Sequence, residues 1–105
     1  LHHYGKDFAS SGHLYLTRIP GVSDEQRREI ITKLAERGVN TNVHYKPLPM
    51  MTAYKNMGWD IKNFPNAYAY YENLITLPLH TKLSDEDVEY VTENFKAVVS
   101  AYTSK

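Results

Sequence analysis

The sequence predicts a small two-layer α+β domain, built as a three-stranded, mainly antiparallel sheet with helices packed mainly on one side. Three observations predict it. The 105 residues suit a single domain, because domains cluster at roughly 100–150 residues. Short stretches of period two alternate with amphipathic stretches of helical period, in the order strand, helix, strand, short helices, strand, helix. Proline and glycine fall at the ends of these stretches and not inside them.

Residues 1–12 (LHHYGKDFASSG) have no clear period and read as a lead-in or linker, which leaves 13–105 as the domain proper. The first strand is expected at 13–19, with Leu14 and Leu16 on one face and Tyr15, Thr17 and Ile19 on the other, closed by Pro20 and Gly21. A helix starts at Ser23. Its hydroxyl can accept from the Gln26 amide while Gln26 reaches back, and Asp24 and Glu25 suit the positive end of the helix. Ile30, Ile31 and Leu34 form its apolar stripe, and Gly38 is a left-handed stop. The second strand is expected at 39–46, with Asn42, His44 and Lys46 on its polar face, ended by Pro47 and Pro49, which have no N–H to donate. Met50 to Met57 fits two helical turns before Gly58, and Pro65 opens another helix running to about Asn73. Leu74–Leu77 is a short apolar third strand. The last helix is capped by Ser84, with Leu83 able to pack on Val88 and with Val88, Val91, Phe95, Val98 and Tyr102 directed at the core.

Composition narrows the function. With 42% hydrophobic and 23% charged residues the chain is globular, not disordered. Its 12 basic and 12 acidic side chains balance, whereas nucleic-acid binders carry a basic surplus gathered on one face. The one dense basic pair, Arg27 and Arg28, is diluted by Glu25 and Glu29. The absence of cysteine excludes disulfides, thiol catalysis and thiolate zinc sites. No apolar run approaches the roughly 20 residues that span a bilayer. A cytoplasmic protein with neither membrane nor nucleic-acid partner is expected, and the start at Leu1 without Met suggests a piece of a longer protein.

His44 is the most informative single residue. It sits on a polar strand face beside Tyr45, and a histidine and a tyrosine can both donate hydrogen bonds to phosphate, hydroxyl or carboxylate oxygens. On this chemistry alone it is equally a hydrogen-bonded structural histidine, which is the commoner case. His2 and His3 lack a partner at metal-ligand spacing, and His13 and His80 lie at element ends. Arg18 can either fork onto a carboxylate or sit solvated at a strand edge. Phe64, Tyr68 and Tyr71 recur at helical spacing, which packing explains without a ligand. Dinucleotide, P-loop, zincin and nucleophile-elbow motifs are all missing.

One ordered set of segments carries more. Arg37-Gly38-Val39-Asn40-Thr41-Asn42-Val43-His44-Tyr45-Lys46-Pro47 is followed by Phe64-Pro65-Asn66-Ala67, by Leu77-Pro78-Leu79-His80, and by Leu83-Ser84-Asp85-Glu86-Asp87-Val88. Over about residues 12–100 this resembles the C-terminal region of the DegT/DnrJ/EryC1/StrS aminotransferases, fold-type-I enzymes that use pyridoxal phosphate to aminate keto-sugars on nucleotide carriers. The resemblance implies a cytoplasmic homodimer in amino-sugar, polysaccharide or cell-envelope biosynthesis, with glutamate as the usual amino donor. It places the cofactor, its Schiff-base lysine and the aspartate on the pyridine nitrogen in a large domain outside this chain. None of Lys33, Lys46, Lys55 or Lys62 sits in the Schiff-base context, so no catalytic, cofactor-binding or metal-binding residue is assigned here, and the chain alone is expected to be inactive. The matching His-Tyr-x-Pro makes His44, Tyr45 and Lys46 the expected substrate-binding residues, on a wall of the sugar-nucleotide cleft. Two other readings stay open on the sequence: a free-standing ligand-binding or regulatory module, and an interaction domain whose His44 strand is an edge for a partner strand.

Overall fold

A computed structural model describes residues 2–103, so Leu1, Ser104 and Lys105, which the expected lead-in (1–12) and domain (13–105) include, lie outside the described residues. Two strands, β1 (Tyr15–Arg18) and β2 (Leu74–Leu77), pair antiparallel with Tyr15 opposite Leu77 and Arg18 opposite Leu74. Among the described residues four α-helices accompany them: α1 (Asp24–Glu36), α2 (Thr52–Asn56), α3 (Pro65–Tyr71) and α4 (Asp85–Thr103), with single 3₁₀ turns at Leu48–Met50 and Ile61–Asn63.

The ends of α1 form as the sequence demands. Ser23 Oγ accepts from the Gln26 amide at 3.2 Å, and Gln26 Oε1 accepts from the Ser23 amide at 3.0 Å. Gly38 takes φ +78° just past the helix, a conformation that a side chain would strain. At α4 the reciprocal pair is Ser84 and Asp87: each backbone N–H donates to the other's side chain, at 3.0 and 3.1 Å.

The face of the sheet that carries Ile75 meets α1 and α4. Ile19, Val22, Ile30, Leu34, Val39, Ile75 and Val98 form the buried core, with Ile31, Leu77, Val91, Phe95 and Tyr102 packed on its margin. Burying side chains of this size contributes roughly 1.5–3 kcal/mol each. The tyrosine hydroxyls of α4 tie the two long helices together. Tyr90 donates to the Arg37 carbonyl at 2.6 Å, and Tyr102 donates to Glu29 at 2.8 Å while accepting from Lys33 at 2.6 Å.

Two expectations need correction. The three-stranded sheet is a two-stranded one. Of the expected second strand only Asn42 pairs, in an isolated antiparallel bridge to Thr76. The Asn42 side chain takes the Val43 N–H at 2.7 Å, so that donor is lost to a ladder, and the prolines at 47 and 49 allow no recovery. Val88 does not reach the core: it is 50% exposed and lines an open apolar groove with Leu83, Tyr15 and Leu77. Within the expected lead-in, Tyr4 bridges Ala9 in a tight hairpin closed by Gly5 N–H to the Phe8 carbonyl at 2.9 Å.

Candidate functional site

The bridge at Asn42 positions the segment that follows it. Asn42 and Thr76 exchange both backbone hydrogen bonds, at 3.1 and 2.7 Å. Two residues on, the His44 ring turns back to β2, and its Nδ1 lies 3.0 Å from Thr76 Oγ1. The ring is half-buried and lines a depression of about 300 Å³ between the 40–44 segment, Leu14 and the Leu77-Pro78-Leu79 turn. His13 also stands on this depression, which the sequence did not link to His44.

Tyr45 packs edge-on against His44 with ring centroids 4.7 Å apart and is 66% exposed. Lys46 is exposed. The three expected residues are thus consecutive on one ridge, but only His44 lines the depression. The sequence missed Thr76. Its one signal was a hydroxyl inside the otherwise apolar run Leu74-Ile75-Thr76-Leu77.

The other candidates resolve as packing. Arg18 lies on the same face of the sheet as Thr76 but is held by its neighbours: Nε donates to Asn73 Oδ1 at 3.1 Å, Nη2 donates to the Ala69 carbonyl at 3.0 Å, and the guanidinium sits 3.9 Å from the Tyr70 ring centroid. Arg27, half of the basic pair, is only 3% exposed. It donates to the Tyr71 carbonyl and to Asp24, and lies 4.3 Å from the Tyr71 ring centroid. Tyr68 and Tyr71 tilt against each other at 6.2 Å, as a packed helix face does. His3 stacks on Tyr15 at 5.4 Å, and His80 accepts from the Lys82 amide at 3.3 Å. Among the described residues no cluster of three or more His, Asp or Glu is placed to hold a metal, and no helix is long and apolar enough to cross a membrane.

The comparison with known families decides the relationship. The DegT/DnrJ/EryC1/StrS aminotransferase family model matches residues 2–96. The chain belongs to that family. Spr1654 of Streptococcus pneumoniae, described as a candidate sugar aminotransferase and solved in PLP, PMP and apo forms, superposes with a TM-score of 0.93 at 57% identity, over 96% of this chain and 25–26% of that one. The spore coat polysaccharide biosynthesis protein SpsC of Bacillus subtilis is 37% identical over 93 residues, 83% of this chain and 23% of SpsC. The UDP-4-amino-4,6-dideoxy-N-acetyl-beta-L-altrosamine transaminase of Campylobacter jejuni is 28% identical over 95 residues, 90% of this chain and 25% of that enzyme. The chain therefore spans about a quarter of the length of the curated relatives it matches.

A family of this kind implies pyridoxal phosphate, and the residues present do not fit it. A Schiff-base lysine must give up its proton, which enclosure in an apolar pocket or a neighbouring cation promotes. Lys33 is exposed, and its ammonium is favoured, not disfavoured: the hydrogen bond with Tyr102 raises its pKa above 10.5, aided by the Tyr102, Glu29 and Glu36 charges. Lys46, Lys55 and Lys62 are exposed as well, and neither a lysine nor a carboxylate lines the depression beside His44.

Proposed function

We propose that this chain is the C-terminal small domain of a pyridoxal-phosphate-dependent aminotransferase that aminates keto-sugars on nucleotide carriers, in amino-sugar biosynthesis. The observation that carries the reading is the superposition at TM-score 0.93 and 57% identity on one quarter of a candidate sugar aminotransferase. Residues 1–12 are the lead-in and 13–105 the domain, which works in the cytoplasm as part of a homodimer with glutamate as amino donor. Cofactor and proton-transfer groups belong to the large domain, so residues 1–105 alone are inactive. No step is assigned to the chain's own lysines.

What the chain contributes is a wall of the substrate cleft. His44, with Nδ1 held by Thr76, offers Nε2 to a sugar hydroxyl or phosphate oxygen. Tyr45 offers a phenolic hydroxyl, and the Lys46 ammonium offers a point charge to the diphosphate. The nucleotide-sugar name of the Campylobacter relative supports this substrate class.

The test is steady-state kinetics of the full-length enzyme. His44→Ala should raise KM for the nucleotide sugar about tenfold, the worth of one good hydrogen bond to a charged or polar ligand, and leave KM for glutamate unchanged. An unaltered nucleotide-sugar KM would remove His44 from the site.

A further inference from the structure

Thr76 occupies a position where packing alone does not ask for a hydroxyl. Leu74 and Ile75 beside it are buried, and Thr76 itself is 5% exposed. Valine has the same β-branched shape and the same preference for strands. A buried hydroxyl costs free energy unless it finds a partner, and the partner here is the His44 ring, 3.0 Å away across the chain. The same residue holds the backbone of that segment through both hydrogen bonds of the Asn42 bridge. One residue of β2 thus fixes the path of the 42–44 segment and the plane of the imidazole.

We propose that Thr76 is the positioning residue of the nucleotide-sugar site: its hydroxyl engages Nδ1 of His44 and presents Nε2 to the ligand in a single orientation. The proposal rests on the reading above, in which His44 touches the substrate. An imidazole engaged at Nδ1 has its rotamer set before the ligand arrives, so binding does not bear the cost of ordering it. Thr76 touches no substrate in this account and acts only through His44. Asn42 places the backbone, and Tyr45 packs edge-on to the ring at 4.7 Å.

The experiment uses the full-length enzyme with Thr76→Val, Thr76→Ser, His44→Ala and the double variant Thr76→Val/His44→Ala. Valine keeps the shape and removes the hydroxyl. It should raise KM for the nucleotide sugar about 5- to 10-fold, leave KM for glutamate unchanged, and leave the melting temperature at or above that of the wild type. Serine, which restores the hydroxyl, should return KM to within about twofold. In the double variant valine should add nothing to the effect of His44→Ala, because the two residues act as a unit. A crystal structure of Thr76→Val should show the His44 ring rotated away from β2 or spread over rotamers. Additive effects, an equal rise in both KM values, or a His44 ring unmoved in Thr76→Val would each overturn the proposal. The kinetic and crystallographic results fail separately. A full-length protein that transfers no amine defeats the functional reading, while the ring orientation in Thr76→Val still decides whether Thr76 positions His44.

Discussion

At the scale of single residues, burial turns apparent function into structure. Arg27 and Arg28 read in sequence as a basic pair, and both meet Asp24, yet only Arg27 is buried. Arg27 shares the stripe of Ile30 and Leu34 at helical spacing and is held by Asp24 and the Tyr71 carbonyl, whereas Arg28 is exposed and meets Asp24 at 2.9 Å. Removing a buried charge leaves its partners unpaired, while a solvated pair contributes little. Arg27→Ala should therefore lower unfolding free energy by about 2–3 kcal/mol and Arg28→Ala by less than about 0.5 kcal/mol in urea titrations. Equal effects would contradict the structure. Arg27 stands outside the apolar stripe expected from the sequence, that of Ile30, Ile31 and Leu34, and its ligands lie 3 and 44 residues away; the farther one leaves no mark in a local pattern. The same holds for His44. It lies in a bend and not on the expected strand face, and Thr76, 32 residues distant, was not legible, because a hydrogen bond between remote segments leaves no local period.

At the scale of elements, the caps were the most legible features and the middle strand the least. A capping box depends on residues three apart, so Ser23 with Gln26 and Ser84 with Asp87 carry their own evidence. Ser23→Ala should cost about 1 kcal/mol, measured by denaturant unfolding. The cap of α4 adds a pH signature. The backbone and then the side chain of Ser84 hydrogen-bond the Asp87 carboxylate and hold its pKa below 3.8. A lowered folded-state value stabilises the protein fully above the unfolded value and is lost as pH falls through the folded one. The stability difference between wild type and Asp87→Asn should thus be constant above about pH 5 and shrink in acid, below the ordinary carboxylate range. A difference that grew in acid would have the wrong sign. The strand at 39–46 failed for a reason that alternation cannot show. Alternation places side chains on faces, but it does not say whether the backbone groups find a ladder, and here Asn42 diverts the Val43 N–H into a local bond.

At the scale of the whole molecule, the core is small and much apolar surface is open. Met57 is 71% and Trp59 50% exposed, on a surface shared with Pro47, Leu48 and Phe64. Val88 and Leu83 line a second groove across α4. Apolar surface of this extent on a chain that spans a quarter of its relatives is what a domain separated from the rest of its polypeptide would show. Residues 1–105 expressed alone should bind a hydrophobic dye and associate as concentration rises in sedimentation velocity. A dye-negative monomer at all concentrations would argue for a self-sufficient domain. The family relationship was legible because its motif segments are short and ordered along the chain. The cleft itself was not, since in the proposed reading most of its walls would come from the large domain.

The most direct test of the central claim follows nitrogen. The full-length protein that carries residues 1–105 is incubated with 15N-glutamate and a panel of UDP- and dTDP-linked keto-sugars, and the sugar products are analysed by mass spectrometry. The account predicts a pyridoxal-phosphate absorption band in the purified protein and 15N on a nucleotide-linked amino sugar, with yield at limiting substrate reduced by His44→Ala. A full-length protein with no such band and no label in any sugar would contradict it.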